Sequence, residues 1–291
     1  MIMDPLLTIC IRSYNQGHYI AKALDSALNQ QSSFPFEIIV GDDYSTDNTR
    51  EILVSYQQKY PHIIKLLLAN QNVGGPNNLR RVIEASTTQY LAFLDGDDYY
   101  TDTYKIQKQV DFLESHPEYS ACFHNVVDVY EGQAKRPSLF LPLDFPEYHD
   151  CVSIISNDWF LPIHSVVLRR EFIFFPEWYD QVMNDDYVVN LSVAMHGPYH
   201  YMPDAMAVYR HHNNNISINY SNQILIDTQL KTILAGFKSI YPKQYEPVFD
   251  KRIAFYNDRI AFNLRETKQP WRKFFRLKSY KRIVKSVLKI K

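Results

Sequence analysis

The 291-residue sequence predicts an α/β protein with a mostly parallel β-sheet flanked by helices. Apolar runs alternate with segments of helical apolar spacing as far as residue 117, as expected for repeated strand–helix units. The runs are apolar throughout rather than alternating, which is typical of parallel strands buried on both faces. A hydrophobic content of 46% and a charged content of 22% fit a globular protein with a substantial core.

Four predicted strands occupy residues 6–11, 36–41, 63–69 and 90–94. Each is followed by apolar residues at helical spacing. These residues are Ile20, Leu24, Ala27 and Leu28; Ile52, Leu53 and Tyr56; Leu79, Val82 and Ile83; and Ile106, Val110 and Leu113. Four strand–helix units are therefore expected in the N-terminal part of the chain.

The pattern changes after residue 117. Residues 118–221 contain shorter apolar segments with irregular links, which predicts extra strands on the far side of a cleft. Residues 222–267 have mostly helical spacing. We expect one domain over residues 1–221, with halves at 1–117 and 118–221, and a C-terminal helical extension over 222–291.

Each of the four predicted strands ends in polar residues. These are Arg12 to Asn15, Asp42 to Ser45, Asn70 to Asn72, and Asp95 to Asp98. In open parallel sheets, ligands bind beyond the carboxyl ends of the strands. The four polar segments are therefore expected to meet at one edge and to form a binding site.

The sequence Asp95-Gly96-Asp97-Asp98 has two interpretations. It can be a tight turn, because Asp-Gly favours turns and aspartate caps helices. It can also hold Mg²⁺ or Mn²⁺, which accept one or two carboxylates while water and substrate phosphate complete the shell. Asp42 and Asp43 would add carboxylates to the same edge, which favours a cation. Because the chain has no phosphate-binding glycine motif, phosphate is expected to be held by metal and side chains.

The chain resembles family 2 glycosyltransferases of the GT-A fold in four collinear segments, TICIRSYNQGHYIAKALDSALNQ, FEIIVGDDYSTDNT, NVGGPNNLRR and YLAFLDGDDYYTDTYKIQKQVDFLESHP. It is most similar to bacterial enzymes that build surface polysaccharides, and the resemblance covers residues 6–217. It implies an inverting transfer from a nucleotide-sugar, usually a UDP-sugar, with Mn²⁺ or Mg²⁺ as cofactor. Residues 1–117 would bind the nucleotide-sugar, and residues 118–221 would bind the acceptor, a saccharide or a lipid-linked saccharide.

The resemblance also assigns donor-side roles. Tyr14 would stack on the nucleobase, Asp43 would bind the uracil edge, and Asp95 would face the ribose. Asp97 would bind the metal, and His212 would contact the metal or the diphosphate. The full nucleotide-sugar set is Arg12, Tyr14, Asp42, Asp43, Arg80, Asp95 and Gly96.

On the acceptor side, the resemblance matches Asp186 to the general base, with Asp185 as its competitor. A general base needs a carboxylate or histidine within reach of the attacking hydroxyl. The alternative is that the pair only stabilises a helix N-terminus through its charge. His164 and Ser165 match a strand that borders the acceptor cleft, which predicts acceptor contacts.

The C-terminal segment 268–291 carries ten Lys or Arg and no acid, while the rest of the chain has 21 basic and 32 acidic residues. Interleaved with aromatic and aliphatic residues, it suits a basic amphipathic helix on anionic lipid, or a helix packed on the domain. Nucleic-acid binding is not expected, because the rest of the chain is acidic and no nucleic-acid motif is present. We expect a cytoplasmic enzyme with peripheral contact to the inner face of the cell membrane.

Two other function classes compete with a sugar transferase. A nucleotidyltransferase that makes a nucleotide-sugar would need a glycine-rich turn with a basic residue after the first strand, and RSYNQGHY does not supply it. A non-catalytic nucleotide-sugar-binding module is favoured only if Asp186 and His212 do not face the cleft. The cysteines Cys10, Cys122 and Cys151 lack metal-ligand spacing and are expected to be buried thiols.

Overall fold

The computed structural model of the chain describes residues 4–157, 160–212 and 223–267. The chain divides into two compact units, Met1–Asn215 and Ile216–Lys291. The division predicted from the sequence lies a few residues later, after residue 221. The segment 268–291, for which membrane contact is predicted, lies outside the described residues.

The first unit contains one large sheet, in which ten strands are described. They are β1 Leu7–Ser13, β2 Phe36–Asp42, β3 Ile64–Leu68, β4 Tyr90–Asp95, β5 Tyr99–Tyr100, β6 Ala121–Tyr130, β7 Ser138–Leu139, β8 Tyr148–His149, β9 Val167–Arg169 and β10 Tyr199–His211. The spatial order is β3-β2-β1-β4-β9-β6-β10-β5, with β7 paired to β6 and β8 paired to β10.

Helices follow the strands as the apolar spacing predicts. Those of the first unit are α1 Ile20–Leu28, α2 Thr49–Lys59, α3 Gly75–Ala85, α4 Lys105–Ser115, α5 Cys151–Ser156 and α6 Asp185–Ala194. The predicted strand–helix units are thus confirmed, and Pro76 lies in the first turn of α3. Buried apolar residues of α1, α2 and α4 pack in one core cluster with the buried strands.

The direction of the strands decides where the site lies. β3, β2, β1 and β4 are mutually parallel, which confirms the predicted parallel sheet. Arg12 of β1 pairs in register with Asp95 of β4, and Ser13 pairs with Asp42 of β2. The polar strand ends therefore meet at one edge of the sheet.

The second half of the sheet is mixed. β9 is antiparallel to both β4 and β6, whereas the long β10 is parallel to β6. β10 pairs with β6 over most of its length, with register shifts between Met202 and Ala207. The other edge of β10 pairs with β5, where Ala207 and Val208 lie opposite Tyr100 and Tyr99. The second half of β10 therefore lies beside the turn that follows β4.

In its described part, the second unit contains α7 Gln223–Lys238, a single helical turn at Lys243–Tyr245, and α8 Glu246–Thr267. α7 packs against α8, and buried Asp227 accepts hydrogen bonds from Arg259. Within the residues that the structure describes, no helix has the length and hydropathy needed to cross a bilayer. All three cysteines are buried thiols, as predicted.

Candidate active site

Arg12 lies at the centre of the polar sheet edge. Its guanidinium donates hydrogen bonds to Asp95 through Nε and through Nη2, the latter at 3.3 Å. Its Nη1 donates to both carboxylate oxygens of Asp185, at 3.0 and 2.8 Å. Burial disfavours the charge of Arg12, but Asp185 and Asp95 outweigh burial and raise the pKa of the guanidinium further above its usual value. Arg12 therefore joins the carboxyl end of β4 to the N-terminus of α6.

The turn at Asp95-Gly96-Asp97-Asp98 is tight, as the turn interpretation predicts. Asp98 N donates to Asp95 O at 3.0 Å, and Gly96 N donates to Arg12 O at 3.0 Å. A Cβ atom at position 96 would lie 2.2 Å from Gln16 Oε1 and 2.9 Å from Ile20 Cδ1. A side chain at position 96 would therefore require the Gln16 and Ile20 side chains to move, because the turn packs directly on the start of α1 and the residues before it.

Asp98 points into the protein. It is 1% exposed, and its Oδ1 accepts a 2.7 Å hydrogen bond from the backbone N–H of Arg210. Its Oδ2 lies 3.2 Å from Nδ1 of buried His164. Burial, together with the neighbouring Asp97 and Asp95, raises the pKa of Asp98 well above its usual value, while burial lowers the pKa of His164 to about 4. His164 is therefore uncharged at neutral pH, and burial favours the protonated form of Asp98.

Asp97 and His212 are the second pair at this turn. His212 Nε2 lies 3.1 Å from Asp97 Oδ2. Neighbouring ligands of an octahedral cation with bonds of about 2.0–2.1 Å lie about 3 Å apart, so these two atoms fit one cation. Asp97 is half-buried at the rim of the turn, where water and phosphate oxygens can complete the shell.

A second group of candidate ligands lies beneath this pair. One ligand atom each from Asp95, Asp98 and His164 lies within 4.8 Å of the others. His164 Nε2 has no hydrogen-bond partner in the described parts of the chain. However, Asp95 already binds Arg12, and both Asp98 and His164 are only 1% exposed. The donor atoms at Asp97 and His212 therefore fit a hydrated cation better.

The predicted base and its competitor both lie in the first turn of α6. Asp185 is the carboxylate that binds Arg12 through two hydrogen bonds. Asp186 is 9% exposed, and its Oδ1 accepts a 2.8 Å hydrogen bond from Tyr187 N. Its charge also contributes to the raised pKa of Arg12, so it lies close to the same guanidinium. The structure thus brings both carboxylates to the polar sheet edge.

The end of β2 organises the loops next to β1. Asp43 accepts hydrogen bonds from Val73 N at 2.6 Å and from Gly74 N at 3.0 Å. Asp42 is fully buried, where it accepts from Ser45 N and pairs with Arg50. Because its carboxylate is enclosed in this way, a direct contact between Asp42 and a nucleotide is not favoured by the structure.

Tyr14 and Arg80 are placed differently from each other. Tyr14 is 45% exposed directly after β1, where a flat ligand could reach its ring. Arg80 lies on α3, where it pairs with Glu84 on the same helix and lies 5.3 Å from the Phe175 ring. No described contact joins Arg80 to the cluster around Arg12.

His164 and Ser165 lie in a single helical turn at Ile163–Ser165 and are both buried. His164 is paired with Asp98, and Ser165 Oγ donates to Pro162 O at 2.7 Å. The expectation that they contact the acceptor directly is not supported, because neither side chain reaches solvent. They support the acidic turn from within.

Tyr19 and Glu131 also belong to the site, although the sequence did not predict them as site residues. The Tyr19 ring stacks on His212, with centroids 4.5 Å apart, and its hydroxyl donates to Glu131 Oε2 at 2.9 Å. Tyr19 precedes α1 and Glu131 follows β6, so only the three-dimensional arrangement of these segments reveals the cluster.

Relatives with detectable sequence similarity were found by comparison with curated proteins. An uncharacterized protein of Mycobacterium tuberculosis is 38% identical over 213 residues, which are 72% of this chain but 60% of that protein. This chain therefore matches less than two thirds of that relative's length. An uncharacterized glycosyltransferase of Nostoc is 30% identical over 224 residues, 72% of this chain and 67% of the relative. A shorter match, 37% identical over 95 residues, is a poly(ribitol-phosphate) beta-glucosyltransferase of Bacillus spizizenii, which covers 32% of this chain and 15% of that enzyme.

Solved structures share the fold at low sequence identity. S. aureus TarS in complex with UDP-GlcNAc has a TM-score of 0.66 at 19% identity, over 87% of this chain and 72% of that chain. The mannosyltransferase PcManGT from Pyrobaculum calidifontis, in complex with GDP-Man and Mn²⁺, has a TM-score of 0.61 at 18% identity, over 96% of this chain and 85% of that chain. The mixed, mostly parallel sheet and these neighbours confirm the predicted GT-A fold. The profile of "Glycosyl transferase family 2" matches residues 8–173, more than half of the sequence, and the chain belongs to this family.

Proposed function

We propose that this chain transfers a sugar from a nucleotide-sugar to a hydroxyl group of a saccharide or lipid-linked acceptor, with inversion at the anomeric carbon. The observation that carries the proposal is the link through Arg12. It binds Asp95 on the predicted donor side and Asp185, next to the predicted base Asp186. Groups suited to the leaving diphosphate and to the attacking hydroxyl therefore share one edge of the sheet, which favours an enzyme over a binding module.

The donor is proposed to be a UDP-sugar. The exposed Tyr14 ring would stack on the base, and Asp43 would set the loop that faces the base edge. Support comes from family membership and from the structural neighbour TarS, which was solved with UDP-GlcNAc. PcManGT was solved with GDP-Man, so a screen of donors must include both uridine and guanosine nucleotides.

The proposed cofactor is Mn²⁺ or Mg²⁺, held by Asp97 and His212. The 3.1 Å separation of their ligand atoms supports this assignment, and PcManGT was solved with Mn²⁺. When bound, the cation would neutralise the charge of the diphosphate, an effect commonly worth several kcal/mol in the transition state. Asp95 would remain with Arg12 and face the ribose.

Asp186 is proposed as the general base. It would accept the proton of the acceptor hydroxyl while the hydroxyl oxygen forms a bond to the anomeric carbon. The bond from that carbon to the diphosphate oxygen breaks on the opposite face, and the diphosphate leaves with the electron pair. Asp185 would hold Arg12 instead, because both of its oxygens already accept hydrogen bonds from that guanidinium.

The acceptor is proposed to be a surface polysaccharide or its lipid-linked precursor. One relative is named as a glucosyltransferase acting on poly(ribitol phosphate). The basic segment 268–291 would keep the enzyme at the inner membrane surface, where lipid-linked acceptors occur. Flotation with anionic liposomes, with and without residues 268–291, tests this attachment, and equal partitioning of the two forms would contradict it.

The transfer activity is tested by a screen of nucleoside-diphosphate sugars for release of the nucleoside diphosphate, with Mn²⁺ and without it. Hydrolysis serves as the readout until an acceptor is found. We expect one UDP-sugar to be consumed only with the cation present. The Asp97→Asn variant is the control, since it should bind UDP yet release little product. If no nucleotide-sugar is bound or consumed, the proposed function is wrong.

A further inference from the structure

Tyr19 contacts the imidazole of His212, and Glu131 and Arg210 contact Tyr19 in turn; these three side chains are called the Tyr19 clamp here. They come from three separate segments, the turn before α1, the residue after β6, and β10. The Tyr19 ring stacks on the His212 ring with centroids 4.5 Å apart and planes 22° apart. The stack fixes the plane of the imidazole next to Asp97.

The Tyr19 ring is itself held in place. Its hydroxyl donates to Glu131 Oε2 at 2.9 Å, and the guanidinium of Arg210 lies 4.6 Å from its ring centroid. Arg210 Nε lies 3.2 Å from the other Glu131 oxygen. The Glu131 carboxylate thus orients both the Tyr19 hydroxyl and the Arg210 guanidinium, which lies over the Tyr19 ring.

Stacking on a histidine is not unusual in this chain. Phe172 stacks on His196 with centroids 4.5 Å apart, and Phe112 stacks on His200 at 4.1 Å. The Tyr19 stack differs from these two because its histidine, His212, lies next to a carboxylate of the acidic turn. His212 Nε2 is 3.1 Å from Asp97 Oδ2. The clamp is therefore built around an imidazole that shares a candidate cation position.

We infer that Tyr19, oriented by Glu131, is a positioning residue that holds His212 for the divalent cation bound with Asp97. This inference rests on the proposed function, since it assumes that His212 is a ligand. An imidazole binds a metal only when its nitrogen lone pair points at the ion, so a fixed ring plane favours binding. Loss of the outer partners of a ligating histidine commonly weakens metal affinity about 10–100-fold.

The test compares three variants of the full chain: Tyr19→Leu, Tyr19→Phe and Phe172→Leu. Phe172→Leu is the matched control, because it removes a half-buried ring that also stacks on a histidine at 4.5 Å. Mn²⁺ affinity is measured from the electron paramagnetic resonance signal of free Mn²⁺ in the presence of UDP. We expect Tyr19→Leu to bind Mn²⁺ about 10–100-fold more weakly. Tyr19→Phe keeps the stack and should lose less, and Phe172→Leu should match the wild type.

A positioning role for Tyr19 also predicts that excess Mn²⁺ restores activity. Turnover of Tyr19→Leu should recover when Mn²⁺ is raised to saturation, whereas a general structural defect would persist. Wild-type Mn²⁺ affinity in Tyr19→Leu, or an equal loss in Phe172→Leu, would overturn the inference. If Asp97→Asn weakens Mn²⁺ binding but Tyr19→Leu does not, the clamp alone is wrong. If the wild type binds no Mn²⁺ with UDP, the metal-dependent function is wrong and the clamp with it.

Discussion

Arg12 and Asp185 are joined by two hydrogen bonds, of 3.0 and 2.8 Å, across 173 positions of sequence. The same guanidinium binds Asp95 at the end of β4. A charged group that is largely removed from water is costly unless it is paired, so these three ionised groups depend on one another. The contact fixes α6, and with it Asp186, relative to the acidic turn.

The two carboxylates of α6 should therefore respond differently to substitution. Asp186→Asn should lower turnover by about 10²–10⁴-fold, the usual contribution of a general base, and leave UDP affinity unchanged. Asp185→Asn weakens the contact with Arg12 but keeps the base, so its loss of turnover should be smaller. Steady-state kinetics and UDP calorimetry on both variants measure this. A larger loss of turnover in Asp185→Asn than in Asp186→Asn would indicate that Asp185, and not Asp186, is the general base.

The two groups of candidate ligands can be separated by a second pair of variants. Asp97→Asn should abolish Mn²⁺ binding in the presence of UDP, because Asp97 lies 3.1 Å from His212 and is half-buried at the rim. Asp98→Asn should keep Mn²⁺ binding, because Asp98 is buried against His164 and the Arg210 backbone. Calorimetric titration with Mn²⁺ decides between them. Loss of binding in Asp98→Asn alone would favour the group of Asp95, Asp98 and His164.

The first four strands were predictable because the signal is local. A strand buried on both faces is mostly apolar at successive positions, and Ile9, Cys10 and Ile11 of β1 are all buried. The parallel direction then follows from the helices between the strands, and it places Arg12 beside Asp95. This part of the site is therefore predictable from the sequence alone.

The second half of the sheet, and the part of the site that it carries, depend on contacts between segments that are distant in the sequence. The paired residues of β10 and β6 are about eighty positions apart in the sequence, and the register shifts near Met202 leave no regular alternation in β10. The stack of Tyr19 on His212 and the burial of His164 both follow from that pairing. No local pattern could show that His164 faces inward rather than toward an acceptor.

The pair of Asp98 and His164 predicts two opposite dependences of stability on pH. His164 stays neutral in the folded chain down to about pH 4, whereas the unfolded chain binds a proton near pH 6.5. His164→Gln removes this contribution, which rises with pH, so the stability of this variant relative to the wild type should fall as the pH rises from about 4 to about 6.5. Burial raises the pKa of Asp98, so the folded chain keeps a proton that the unfolded chain releases above about pH 4, and Asp98→Asn should gain stability relative to the wild type as the pH rises above that value.

Each slope should be at most about 1.4 kcal/mol per pH unit, the value for one proton. Urea unfolding at three pH values measures the free energy of unfolding, and the wild type at each pH removes the contribution of all other groups. His62→Gln, at an exposed turn before β3, is the control for loss of one imidazole. Slopes of the same sign in the two variants would show that the protonation states assigned to Asp98 and His164 are wrong.

Lys105 provides a final prediction, because it is a fully buried lysine beneath the site. Its Nζ donates to Gln109 Oε1 at 2.8 Å and lies 4.5 Å from the Tyr100 ring centroid. Gln109 in turn donates to Ser165 O at 2.9 Å, so the chain of contacts reaches the turn that carries His164. Burial lowers the pKa of Lys105 to about 7.

The sign of its effect follows from the two protonation states. Between about pH 7 and 10 the unfolded chain keeps the proton of this lysine, whereas the folded chain has released it, so rising pH favours the folded chain. The unfolding free energy of the wild type should therefore rise relative to that of Lys105→Met by up to about 1.4 kcal/mol per pH unit in this range. Lys65→Met, at an exposed position of β3, should show no such difference. A difference between wild type and Lys105→Met that stays constant from about pH 7 to 10 would mean that Lys105 remains charged inside the folded protein, which its apolar surroundings argue against.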